Sequence, residues 1–357
     1  MKFLFCFFPP VMNITLLIIT FLILPGCYTL KQGSALLGYL NRAILLESLL
    51  ELDADEIETE KNRLFVELVM DIRSFAKDEL GLELGKNYSD YVKIDRDYLA
   101  AVVSASAADS FDRYEWKYPI VGSMPYKGFF KDNDAIKEKN KLEKKSLDVW
   151  VRPVEAFSTL GWFKDPLYSY MRDYPPDRLA DLIIHESLHA TVFIKGAAEF
   201  NEELAEFVGR EGSRLFMEYR YGIDSDEYKS MTDWTEDNRN FIDFIQNIIS
   251  RLQDLYDSGK SKEEKLKEKE RIINIEKERF ETNYDDVFVS HYFRKFSDIP
   301  VNNAYLDMFR LYFDEDDYIK DLYDKSGLSL AEFIEAAKKI PNRTRNPRES
   351  LMELVKL

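Results

Sequence analysis

Cationic charge, histidine and cysteine are all scarce in this chain of 357 residues. Asp and Glu number 65 against 49 Lys and Arg, giving a formal net charge of −16 and a pI near 4.9. That balance argues against a nucleic-acid partner, because neutralising phosphates needs a basic face. The lysine-rich run KSKEEKLKEK at 260–269 reads as a solvated helix face, since its glutamates nearly cancel its lysines. Cys6 and Cys27 are the two cysteines, so from residue 28 onward no thiol remains for a disulfide, a nucleophile or a metal. The fold must therefore rest on its core, which a 45% hydrophobic content supports. No internal repeat and no disordered linker is legible. Histidine occurs three times, as His185, His189 and His291.

The N-terminus pairs a minimal positive start, Lys2, with the apolar run ITLLIITFLIL at 14–24. The run of 11 residues is too short to span a bilayer unaided. It closes on LPGC at 24–27, which resembles a bacterial lipoprotein signal. The resemblance implies that residues 1–26 are removed and that Cys27 carries lipid. An ordinary cleaved signal and an uncleaved anchor are the alternatives, and each exports the rest of the chain. The expected location is the bacterial cell envelope, on the periplasmic face or at the outer membrane. Tyr28, in place of an aspartate after the cysteine, hints at the outer membrane.

Residues 27–357 read as one α+β domain, predominantly helical. A helical part covers 27–90, where apolar spacing from Gly38 to about Leu84 predicts two long helices with a turn near 53–55 and a stop at Gly85. A small mixed sheet is expected over 91–155, rich in aromatic and β-branched residues with Gly and Pro punctuation. Within it, 134–145 reads as a charged helix and LDVWVRPV at 147–154 as a strand. The remainder, 156–357, reads as helix-rich.

The chemistry gathers in DLIIHESLHATVF at 181–193. His185-Glu186-x-x-His189 fits the HExxH pattern. Residues four apart lie on one helical face, so both imidazoles can reach one metal ion. Glu186 lies about 100° around the helix, placed to meet a water rather than the metal. Pro175, Pro176 and Asp177 are helix-start residues and Gly196 is a stop, so 176–194 is predicted to be a helix. Without a metal, the two histidines would be ordinary helix residues satisfied by backbone or carboxylate partners.

A second helix is predicted over AAEFNEELAEFVGREGSRLF, beginning at Ala197. It carries Glu199, Glu202, Glu203, Glu206 and Glu211. A catalytic zinc takes three protein ligands and one open position. With no cysteine at hand and His291 more than a hundred residues away, a glutamate on this helix is the cheapest third ligand, with Glu202, Glu203 and Glu206 as the choices. Asn201-Glu202-x-x-Ala205 resembles the NExxA pattern of glutamate-zincins, which implies Glu202 as the ligand and Ala205 as the small residue that lets the helices approach. Glu206, one turn on, suits a hydrogen bond to the far nitrogen of a ligand histidine. The gap of 12 residues between His189 and Glu202 demands a tight helical hairpin.

The combination resembles the bacterial family of predicted zinc aminopeptidases. The stretches that carry the likeness are the lipoprotein start, GYLNRAILLESLLE, FAKDELGL, YPIVGSMPYKGFF, VRPVEAFSTLGWFKDP, IIHESLHATVFIKGAAEFNEELAEFVGREG and VNNAYLDMF. The resemblance implies a zincin-like fold, a small sheet ahead of the metal-binding hairpin, one Zn2+ per chain, and a peptide substrate. His185, His189 and Glu202 would bind the metal and Glu186 would move protons.

Other positions stay open. His291 in VFVSHYFRKF is a candidate oxyanion stabiliser or a packed or solvated histidine. Asn302 and Asn303 either bind substrate backbone or cap a helix. Ser158, Thr159 and Gly161, in STLGW, either line the cleft or form a buried turn. Ser158 lacks the context of a serine nucleophile. Glu199 and Glu203 are candidates for binding a substrate α-amine. Three functions compete: a membrane-anchored zinc aminopeptidase, an envelope endopeptidase of the same chemistry, and a non-catalytic envelope lipoprotein that uses the helices as scaffold.

Overall fold

The computed structural model describes residues 37–52, 55–85, 87–118, 122–154, 165–310 and 318–355. Cys27, Ser158, Thr159 and Gly161 lie outside the described residues. The described residues gather into two compact units, each assembled from separated stretches. A hairpin unit comprises 37–99, 165–228 and 318–355, and a sheet unit comprises 100–154 and 229–310. The chain changes unit after residues 99 and 154, near the composition changes at 90 and 155.

The first stretch of the hairpin unit holds strand β1 (Ile44–Leu45), helix α1 (Glu56–Asp78) and strand β2 (Asp90–Val92). Helix α1 starts at Asp55, whose side chain accepts the Glu58 N–H. It buries Phe65, Val66, Val69, Ile72, Phe75 and Ala76, a stripe at helical spacing. It ends six residues before the expected limit at Leu84. Gly81 adopts φ +68, and the Leu82 N–H bonds back to the Ala76 carbonyl, closing the last turn. The long helix predicted upstream of residue 53 is also corrected. Residues 44–45 pair with 90–91 as strand, and Leu46–Glu51 form a 3-10 turn. Local apolar spacing allowed a helix there, but pairing with β2 won.

The chain then enters the sheet unit with β3 (Ala100–Ala107), β4 (Trp116–Tyr118), β5 (Gly122–Met124), β6 (Tyr126–Phe129), α2 (Asp132–Glu143) and β7 (Leu147–Val154). Strand β3 is central, antiparallel to β6 on one side and to β7 on the other. Back in the hairpin unit come β8 (Leu167–Tyr168), α3 (Pro176–Thr191) and α4 (Ala198–Tyr221). Among the described residues the expected single small sheet is instead three small sheets: β1-β2-β8, β6-β3-β7 and β4-β5. Strand β8 joins β2 in parallel across 75 intervening positions, a pairing that local sequence does not announce.

Helix α5 (Asp226–Tyr256) carries the chain into the sheet unit, followed by α6 (Lys262–Thr282), α7 (Tyr284–Val287) and α8 (Asn303–Arg310). Their core is aromatic: Phe241 stacks on Phe293 at 4.3 Å and meets Phe280, Phe296 and Phe309 edge-on. Helices α9 (Tyr318–Ser326), α10 (Leu330–Ala337) and α11 (Pro347–Val355) complete the hairpin unit. The protein is predominantly helical with small sheets. No described helix is long and apolar enough to cross a membrane.

Candidate metal centre

Helix α3 opens with proline at its first position, where no backbone donor is lost, and with Asp177 in the first turn. Leu179, Ala180, Ile183, Ile184 and Leu188 are buried, and the same helix buries Glu186 and His189. It stops at Thr191, three residues short of the predicted limit, because Val192 turns extended. Gly196 at φ +85 supplies the left-handed step that reverses the chain, a conformation costly for any residue with a Cβ.

Asn201 then fixes the turn. Its side-chain oxygen accepts the Ile194 N–H at 2.9 Å and its amide donates to the Ile194 carbonyl at 2.9 Å. One buried side chain thus satisfies both backbone groups of a residue between the helices. This explains the asparagine of N-E-x-x-A in this chain: it sets where α4 begins relative to α3, and so where Glu202 sits.

Small residues do the rest. Ala205, Gly209 and Gly212 lie on the face of α4 that meets α3, and all three are buried. A Cβ on Gly209 would stand 2.5 Å from Asp181 Oδ1, 3.0 Å from His185 Cβ and 3.2 Å from the Asp181 carbonyl. One on Gly212 would stand 2.9 Å from Ile184 Cγ2. At the far end, Ser213 Oγ donates to the Asp177 carbonyl at 2.7 Å. The two helices are in backbone-to-side-chain contact along the stretch that carries the histidines.

Three ligating groups converge there. His185 Nε2 and His189 Nε2 are 3.2 Å apart. Glu202 Oε1 is 3.2 Å from His189 Nε2, and Oε2 is 3.8 Å from His185 Nε2. Among the described residues this is the group of His, Cys, Asp and Glu side chains that could hold a metal ion. Ligand bonds of about 2.0–2.1 Å in a tetrahedron put neighbouring donors about 3.3 Å apart. The observed spacings fit that edge length, and two imidazoles with one carboxylate are a donor set suited to zinc.

Burial favours the ligating form of His185. Burial pushes His185 down to about 3, with the charge of His189 adding to the effect and Glu202 opposing it. His185 is therefore neutral near pH 7, the form that ligates. Burial also acts to lower His189, but its hydrogen bond with Glu202 and the charges of Glu186, Glu202 and Glu206 raise it overall. Glu186 is 3% exposed, so a carboxylate stands in a largely water-excluded place beside the histidine pair. Glu206 is also buried, and His189 feels its charge.

Of the remaining glutamates, Glu203 faces away from this chemistry. Arg348 of α11 grips it through two guanidinium nitrogens, and Glu199 lies 3.6 Å from the same guanidinium. His291, Asn302 and Asn303 belong to the sheet unit. His291 is exposed, on a turn whose Val289 and Ser290 N–H groups are held by the buried Asp237 carboxylate. Asn302 accepts the Tyr305 N–H as a helix cap and donates to the Val149 carbonyl. Asn303, fully buried, donates to the Ala107 and Ser110 carbonyls and accepts from the Tyr256 hydroxyl.

Two residues near the centre escaped the sequence reading. Tyr88 is buried at a left-handed φ of 57, a strained position for a tyrosine. Burial drives its hydroxyl pKa far up, and the charges of Glu186 and Asp165 push the same way, so it remains a proton donor. Nothing in its local sequence marks it. Asp181, one turn before His185, is raised to about 7 by burial, partly countered by Arg210. Its i, i+4 spacing to His185 was a readable signal.

Neither curated proteins nor solved structures provide a match to the chain. A family model does, across residues 27–352, which include both helices of the hairpin and all three converging side chains. That membership supports a peptidase-like function. The chain belongs to the family described as "Putative aminopeptidase".

Proposed function

We propose that the protein is a zinc-dependent metallopeptidase of the glutamate-zincin type, acting as an aminopeptidase. The observation that carries this is the convergence of His185, His189 and Glu202 within 4.8 Å on two tightly packed helices, with Glu186 buried beside them. Bound zinc would supply a Lewis acid that polarises a peptide carbonyl and lowers the pKa of water. His185 and His189 would hold the metal through Nε2, and Glu202 would supply the anionic donor. Glu186 takes a proton from the attacking water and passes it to the leaving amine. Its low exposure keeps bulk water from competing for that proton. Glu206 tunes His189 by its charge. Tyr88, kept protonated, is placed to support the carboxylate of Glu186.

The pairing of Glu203 with Arg348 favours a second reading. An aminopeptidase needs a carboxylate for the substrate's α-amine, and Arg348 faces both candidates, Glu199 and Glu203. An envelope endopeptidase has no such need. Attachment to the membrane through lipid on Cys27 belongs to the same proposal; it rests on LPGC at 24–27.

Digestion of a peptide library by the purified protein separates these readings. Release of N-terminal residues alone supports the aminopeptidase, and internal cuts support the endopeptidase. Activity should disappear with a chelator and return with zinc. A protein that binds metal and cleaves nothing would make the hairpin a scaffold. Fatty-acid labelling that survives Cys27→Ser would overturn the anchor.

A further inference from the structure

The sheet unit holds a second polar cluster that the metal chemistry does not use. Strand β3 runs between β6 and β7, and Ser104 stands opposite Tyr126 on one side and Trp150 on the other. Directly opposed residues of antiparallel strands share a face, with Cβ atoms about 4.5–5.5 Å apart. Ser104, Tyr126 and Trp150 therefore form one row of side chains on a single face across three strands. The Ser104 Oγ, Tyr126 hydroxyl and Trp150 indole N–H are each buried, and none has a hydrogen-bond partner among the described residues.

Such a row is costly to maintain without a ligand, because buried polar groups are nearly always paired. The same unit shows that it can pair them. Asn303 satisfies its amide on Ala107 and Ser110, and the buried Lys269 donates to the Ala108 carbonyl and to Asp148. The row at Ser104 differs in setting three unpaired buried atoms on neighbouring strands of one small sheet. The Trp150 ring is packed edge-on against Tyr305 at 5.0 Å, so its N–H is held in a fixed direction.

The chemistry of the row selects its ligand. An indole N–H can only donate. Burial pushes Tyr126 up to about 12, with Arg152 opposing, so the phenol stays protonated and donates as well. Neutral donors set side by side suit a planar group with two acceptor oxygens, whose negative charge strengthens each bond.

We propose that the β6-β3-β7 sheet carries a carboxylate-binding site formed by Ser104, Tyr126 and Trp150, separate from the metal-binding hairpin. Its ligand is either the C-terminal carboxylate of a peptide or a free small carboxylic acid.

Calorimetric titration of the full-chain protein tests this with four probes: acetyl-dialanine, its C-terminal amide, acetate and phosphate. Acetyl-dialanine should bind, and the amide should bind at least about 10-fold more weakly. Acetate binding as tightly as acetyl-dialanine identifies a small acid as the source, and much weaker acetate binding identifies a peptide terminus. Tyr126→Phe and Ser104→Ala should each weaken acetyl-dialanine about 10-fold while leaving the melting temperature equal or higher, since each removes an unpaired buried group. His185→Ala should leave the affinity unchanged, which separates this site from carboxylate binding at a metal. Equal affinity for the amide, preference for phosphate, or unchanged affinity in both sheet variants would overturn the site. So would a lowered melting temperature in both, which would show the hydroxyls to be bound to structural water.

Discussion

Asn303 and His185 are both polar side chains held inside the protein, by opposite means. Around Asn303 every group has a complement. Its backbone N–H meets Asp148, its side chain meets two carbonyls and the Tyr256 hydroxyl, and Asp148 also takes the ammonium of Lys269. Around His185 two imidazoles and one carboxylate converge within 3.2–3.8 Å. Two more carboxylates, Glu186 and Glu206, are buried nearby. The first cluster closes on itself and makes a strong structural joint. The second gathers imidazole and carboxylate groups about one point, an arrangement suited to a cation. Burial of polar groups does not by itself mark function; their arrangement does.

If that arrangement distinguishes the clusters, mutations should split along it. The largest effect is expected for His185→Ala. Metal affinity should fall by at least about 100-fold, read by elemental analysis after dialysis, and hydrolysis should be lost with it. Glu186→Gln should keep the metal but lower the hydrolysis rate by roughly 10²- to 10⁴-fold. If it kept both metal and full rate, Glu186 would have no part in proton transfer. Asn303→Ala should do the converse. It should cost about 2–3 kcal/mol of stability in denaturant unfolding and leave metal content unchanged. An altered metal content would erase the distinction drawn between the two clusters.

Gly209→Ala probes the helix contact itself. The added methyl meets Asp181 and His185 at 2.5–3.2 Å, two of those contacts being with Cβ and backbone atoms that cannot swing aside. A loss of about 1–3 kcal/mol is expected, with weakened metal binding as Glu202 is displaced. The smallest effect is expected at Asp181. Its folded pKa, about 7, lies above the ordinary 3.8 because burial disfavours the charge. The stability held by the neutral acid is complete below 3.8 and is lost as pH rises through about 7. Asp181→Asn should therefore raise the melting temperature more at pH 8 than at pH 5. An equal gain at both would mean that Asp181 does not titrate in this range.

Much of the hairpin was legible in the sequence because its signals are local. The spacing of His185 and His189, the proline start and Gly196 placed α3 within three residues of its observed end. Strand β7 falls at 147–154 as expected, and α2 is shifted by two residues from 134–145. What failed was set by partners distant in sequence. The segment at 44–51 departs from helix because it pairs with β2, and β8 exists because β2 lies beside it. The site follows the same division. Glu202 came from a motif, whereas Tyr88 comes under the charge of Glu186 only through the fold. The engagement of Glu203 by Arg348, 145 positions away, was equally hidden.

The most direct test is elemental analysis of the purified full-chain protein beside its Glu202→Gln variant. About one zinc per chain is expected in the wild type, with most of it lost in the variant while its circular dichroism is unchanged. A wild-type protein without bound metal after exposure to zinc, or a variant that holds it as tightly, would contradict a metal centre built from His185, His189 and Glu202.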